Sequence, residues 1–173
     1  MRLLDAILRR PPRAARCVHI YASIDNTIVA AMHRNFAGIY YEQIDPVVLA
    51  GSPDPVALGA AFKQAFDRFS VKDANLREHK RSDWPAYRAS GLRTIKEFER
   101  RYRAVACQGL NDSNAVVHAS MARPDAADCT TTISFNPQLP PEDIGANLHR
   151  LLDLVAADDR SPTSSATLHD TPC

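Results

Sequence analysis

Ser52-Pro53-Asp54-Pro55-Val56-Ala57-Leu58-Gly59-Ala60-Ala61-Phe62-Lys63-Gln64-Ala65-Phe66-Asp67-Arg68-Phe69 is the stretch from which the architecture can be read. Asp54 is placed to cap a helix, because its carboxylate can accept from backbone N–H groups that lack an intrahelical partner. Pro55 suits the first helical position, where a missing N–H costs nothing. Leu58, Ala61, Phe62, Ala65, Phe66 and Phe69 then recur at helical spacing and form one apolar face. A later stretch repeats the plan. Pro140-Pro141-Glu142-Asp143 opens a helix with apolar Ile144, Leu148, Leu151, Leu152 and Val155. In register, Leu58 falls on Ile144, Phe62 on Leu148, Ala65 on Leu151, Phe66 on Leu152 and Phe69 on Val155, and Gly59 falls on Gly145. Any two amphipathic helices share apolar spacing. A shared glycine is more informative, since glycine inside a helix costs about 1 kcal/mol against alanine and needs a reason. Close approach of each helix to a sheet is the expected reason.

Working outward, each helix follows a run of strands. Val18, Ile20 and Ala22 alternate with Cys17, His19 and Tyr21, the period of a half-buried strand. Asp25-Asn26 turns the chain, and Thr27 to His33 returns. Gly38 to Ile44 reads as a third strand and Val47 to Leu49 as a short fourth. In the second half, Tyr102 to Gln108, a turn at Asn111-Asp112-Ser113-Asn114, Ala115 to Met121 and Cys129 to Phe135 read the same way. The expected fold class is therefore α+β: two similar units, each an antiparallel β-meander plus a helix, over residues 17–69 and 102–157. A basic, partly helical connector, 70–101, joins them inside one domain spanning 13–157. Residues 1–12 hold a short helical stripe stopped by Pro11-Pro12, and the polar, Pro/Ser-rich residues 158–173 read as a disordered tail.

The chain has 173 residues and a net charge of +1, which excludes a globally basic nucleic-acid binder and a charge-saturated disordered chain. No run of about 18 apolar residues exists, so a membrane helix is not expected. The apolar stretch near Met1 is short and interrupted by Asp5, so a secretory signal is not expected and a cytoplasmic location is. Cys17, Cys107, Cys129 and Cys173 are far apart, without C-x-x-C pairs, and read as reduced thiols rather than zinc ligands or a disulfide framework. Glycine-rich phosphate loops, G-x-S-x-G and H-E-x-x-H are absent, and no metal or cofactor is expected. His19, His33 and His118 lie on expected strands. With Asp25 or Asp112 nearby they would serve acid–base chemistry if the sheet gathered them, which makes a small histidine-dependent hydrolase or nuclease the alternative reading. Cys107 as a nucleophile would need a neighbour that stabilises its thiolate.

The connector differs from both halves. From Val71 to Arg103 ten cations face five anions, so this segment carries +5 and the rest of the chain −4. It holds the only tryptophan, Trp84, and Thr94-Ile95-Lys96-Glu97 matches a capping box that opens a helix with Ile95, Phe98 and Tyr102 inward. Interleaved acids and the lack of any RNP, KH or zinc-finger pattern argue against nucleic acid as the partner. Trp and Arg are enriched at protein-interface hot spots, so Arg77, Lys80, Arg81, Asp83, Trp84, Tyr87 and Arg88 are the expected partner-binding residues.

Lys72-Asp73-Ala74-Asn75-Leu76-Arg77-Glu78-His79-Lys80-Arg81-Ser82-Asp83-Trp84-Pro85-Ala86-Tyr87, running on to Ser90-Gly91 and Ile95-Lys96-Glu97-Phe98-Glu99, resembles the CdiI-type immunity proteins of contact-dependent growth inhibition. The resemblance implies a small cytoplasmic protein that binds and blocks the C-terminal toxin domain of a cognate CdiA-type effector, and that has no catalysis of its own. The conspicuous patch here is basic, whereas many inhibitors of nuclease toxins are acidic. The resemblance thus implies either an acidic toxin surface or binding through the acidic remainder of the chain.

Overall fold

The computed structural model describes residues 15–72, 84–121 and 129–158. The expected helical segment at 1–12 and the tail from 159 onward lie outside the described residues, as do 73–83 and 122–128. The class is α+β. Strands β1 (Arg16–Ala22), β2 (Asn26–Arg34), β3 (Tyr40–Glu42), β4 (Val47–Ala50), β5 (Ser70–Val71), β6 (Arg103–Asn111), β7 (Asn114–Met121) and β8 (Cys129–Phe135) form one sheet. Helices α1 (Pro55–Arg68), α2 (Pro85–Ala89), α3 (Ile95–Arg101) and α4 (Pro141–Asp158) accompany it.

The spatial order is β3-β2-β1-β6-β7-β8, with β4 and β5 also paired to β2. The central seam is antiparallel β1–β6, running from Arg16 opposite Gly109 to Ala22 opposite Arg103, so the first strand of each half meets the other in mid-sheet. The expected third and fourth strands are present as β3 and β4, lying end to end along β2 at Met32–Arg34 and Asn26–Val29. Between them Gln43 is buried and satisfied: its amide donates to the carbonyls of Met32 and Arg68. Asp45 at φ 60° turns the chain there. The two-residue β5, which the sequence did not announce, pairs parallel to β2.

One face of the sheet packs on α1 and α4. Val18, Ile20, Val29, Val105, Cys107 and Val117 meet Leu58, Phe62, Phe66, Ile144, Leu148 and Leu151 in the main core. Asp54 caps α1 by accepting from the Ala57 N–H at 2.8 Å, with Pro55 in the first turn. The shared glycine has a different cause from the one expected. A Cβ on Gly59 would lie 1.7 Å from the Pro141 carbonyl oxygen, and one on Gly145 would lie 1.8 Å from that of Pro55. Each glycine admits the other helix's first residue, not a strand. Two hydrogen bonds repeat the reciprocity: Lys63 Nζ donates to the Leu139 carbonyl at 3.0 Å, and His149 Nε2 lies 2.7 Å from the Pro53 carbonyl.

The connector covers part of the opposite face. Phe98, Tyr102 and Ala86 are buried against Tyr21, Ile28 and Ala30, with Trp84, Tyr87 and Leu92 packed around them. Thr94 caps α3 by accepting from the Glu97 N–H at 3.1 Å, as the capping box predicts. The sheet face over β6, β7 and β8 keeps exposed Ala104, Gln108, His118, Thr130, Thr132 and Ser134.

Candidate protein-docking surface

One carboxylate pins the described part of the connector to the sheet. Glu42 ends β3, and its side chain lies on the same sheet face as Tyr21 because Glu42 pairs with Met32, in phase with Ile28 and Ala30. Glu42 Oε1 accepts from the Tyr21 hydroxyl at 2.5 Å and from Trp84 Nε1 at 2.5 Å, while Oε2 accepts from the Ala86 backbone N–H at 2.8 Å. That last contact supplies an acceptor to an orphan donor in the first turn of α2, whose own N-cap, Trp84, makes no side-chain cap. Hydrogen bonds to an ionised acceptor are among the stronger ones. Around this pin the rings interlock: Trp84 stands edge-on to Phe98 and Tyr21 with centroids 5.0 and 5.8 Å apart, Tyr87 is edge-on to Phe98, and Phe98 stacks on Tyr102 at 4.6 Å. The Tyr102 hydroxyl donates to Asn26 Oδ1.

Of the expected partner-binding residues, Arg77, Lys80, Arg81 and Asp83 lie outside the described residues. Trp84 and Tyr87 are brought together around Phe98, half-buried, with their rings turned toward the sheet. Arg88, in the last turn of α2, is exposed. Glu42 went unnoticed in the sequence. The only available signal was an acid set between Tyr41 and Gln43 at an alternating strand position, which many solvent-facing acids share.

The three histidines do not gather. His33 follows Ala31 on the helix-covered face, where Nδ1 lies 2.7 Å from the Ser70 hydroxyl. His19 and His118 share the other face, both opposite Ala106 on β6, and so stand two strand spacings or about 10 Å apart. His19 Nδ1 lies 3.2 Å from the Tyr21 hydroxyl, and His118 Nδ1 lies 3.1 Å from the Thr132 hydroxyl. Burial lowers the His19 pKa, with the Glu42 charge opposing, and burial plus the charges of Lys72 and Arg68 lowers that of His33. Cys17 and Cys107 are free and buried; burial pushes the Cys17 thiol up to about 12 and the Cys107 thiol upward too, away from thiolate character. Among the described residues no three His, Cys, Asp or Glu side chains form a group that could hold a metal ion. No helix among them is long and apolar enough to cross a membrane. A cleft of about 300 Å³ opens between the end of α1 and the β6–β7 turn, lined by Arg16, Phe66, Phe69, Leu110 and Gln138 among others; none of the three histidines lines it.

No family model and no curated protein matches the sequence. Solved structures do match the fold. A protein of unknown function from Neisseria meningitidis, NMB0488, aligns with a TM-score of 0.65 at 18% identity, covering 81% of this chain and 94% of that one. A chain of a CdiA-CT/CdiI toxin and immunity complex from Yersinia pseudotuberculosis aligns with a TM-score of 0.58 at 13% identity, covering 80% of this chain and 96% of that one. The fold of this chain is thus one also found within a toxin and immunity complex.

Proposed function

We propose that the chain is an immunity protein that binds and neutralises the C-terminal toxin domain of a cognate CdiA-type effector in the bacterial cytoplasm, by docking and without chemistry of its own. The observation that carries this reading is the fold shared with a chain of a toxin and immunity complex over four-fifths of the sequence. The connector resemblance points the same way. The physical demands of the task also suit the molecule. An inhibitor needs a rigid scaffold and a shaped, charged surface, and an interface of roughly 1,600 Å² in total is the standard size for such a complex. Complementary charge speeds capture, and a few aromatic or arginine anchors slow release.

In this reading Arg77, Lys80, Arg81, Asp83, Trp84, Tyr87 and Arg88 contribute the contacts, with Trp84 also holding the connector on the sheet through Glu42. The test is co-expression with the C-terminal domain of the product of the neighbouring upstream gene, followed by purification and titration calorimetry. Protection of the cells and a stable one-to-one complex are expected, and Arg81→Glu and Arg88→Glu should each weaken binding at least tenfold. Cells that die despite abundant immunity protein, with no complex recovered, would refute the function. Protection with unchanged affinity in both variants would move the contacts off the connector.

A further inference from the structure

The half of the sheet face that the connector leaves open has an unusual composition. Its middle rows are Gln108, Val116 and Ser134, then Ala106, His118 and Thr132, each row set by the β6–β7 and β7–β8 registers. Ala104 and Thr130 extend it toward α3. None of these eight side chains is Asp, Glu, Lys or Arg, in a chain whose residues are 24% charged. Depletion of charge is the compositional mark of an interface core, whereas a solvated sheet face ordinarily carries charged residues. The connector layer beside this floor is cationic. Residues 84–103 hold six cations against two anions; Arg101 is paired with Glu97 and Asp25, while Lys96 and Arg100 are exposed on α3. Ala104 pairs with Tyr21, whose ring meets that of Phe98 with centroids 5.3 Å apart, so α3 flanks this end of the floor.

We infer that this neutral floor and its cationic ledge together dock one protein partner: a flat, uncharged patch flanked by carboxylates. The inference rests on the toxin-binding reading above and names the face of this chain and the chemistry of the toxin surface. Area and charge select the occupant. Three strands and about six residues along each give a floor of roughly 300 Å², against the ~800 Å² per partner of a standard interface. The ledge must therefore join the contact. A second copy set face to face would present the same net-positive ledge, like charge against like. A partner with carboxylates beside a neutral patch satisfies both parts, and its association would slow as salt screens the ledge.

The test uses the whole chain and the same upstream-encoded C-terminal domain, with Thr132→Glu on the floor, Arg100→Glu on the ledge and Arg150→Glu on the exposed outer side of α4 as the control. Affinity is read by calorimetry, self-association by ultracentrifugation, and folding by circular dichroism melts. Thr132→Glu and Arg100→Glu should each lose at least tenfold in affinity with unchanged melts, and Arg150→Glu should lose less than twofold. Wild-type affinity in both variants overturns the docking face while leaving the toxin-binding reading intact. Variants that dissolve a dimer and leave toxin affinity unchanged overturn it in favour of a second copy. A wild-type chain that binds no toxin removes the parent reading, and this acidic partner with it.

Discussion

Glu42 shows how much a single side chain can organise. Its three donors come from β1, from the connector and from the first turn of α2, so one carboxylate joins sheet, ring cluster and helix. Glu42→Ala leaves the Trp84 and Ala86 N–H groups without that acceptor, and a half-buried unpaired donor costs about 1–3 kcal/mol. The expected outcome is a melting transition lowered by several degrees and a red shift of fluorescence, which reports on Trp84 alone because the chain has one tryptophan. An unshifted spectrum would mean that the rings hold the connector unaided. The histidines carry a second prediction. His19 and His33 titrate below their ordinary value in the folded chain and near 6.5 when unfolded. Between those values the unfolded chain binds more protons, so stability falls as pH drops through about 6.5 and levels off below the folded values. The melting temperature should be lower at pH 5.5 than at pH 7.5, with a smaller difference in a His19→Gln, His33→Gln double variant. A rise in melting temperature on acidification would contradict this.

At the scale of elements, the two long helices are locked by paired notches. Gly59→Ala gains about 1 kcal/mol of helix propensity but drives a methyl into the Pro141 carbonyl, and overpacking against backbone costs about 3 kcal/mol or more. Denaturant melts should show Gly59→Ala and Gly145→Ala each destabilising by about 2 kcal/mol net, and a neutral result would mean that the helices slide apart freely. These helices were readable in the sequence because caps and apolar stripes are local signals: Asp54, Pro55 and the Leu58-to-Phe66 face all behave as their chemistry dictates. The capping box at Thr94 was readable for the same reason. The glycine pair signalled close approach but not its object, since a contact between residues 59 and 141 leaves no local trace. Short β5, the end-to-end arrangement of β3 and β4, and the reach of Glu42 to Trp84 are likewise set by partners distant in sequence. The histidines illustrate the limit most plainly: alternation gives each a face only once strand order is known.

At the scale of the whole molecule, one sheet unites both halves through the β1–β6 seam, and both helix notches cross between them. Unfolding should therefore be a single cooperative event, with the Trp84 signal on one face and far-ultraviolet dichroism giving the same midpoint in urea. Separate midpoints would show the connector layer melting on its own. The seam has a further consequence for biosynthesis. While the polypeptide is still leaving the ribosome, Val18 and Ile20 belong to a strand whose neighbour, residues 103–109, has yet to be translated. For that interval the nascent chain presents an open, apolar strand margin of the kind that recruits chaperones or mispairs with other molecules. Hurrying or stalling translation near codon 100 should thus alter the yield of soluble protein more than the same disturbance near codon 50.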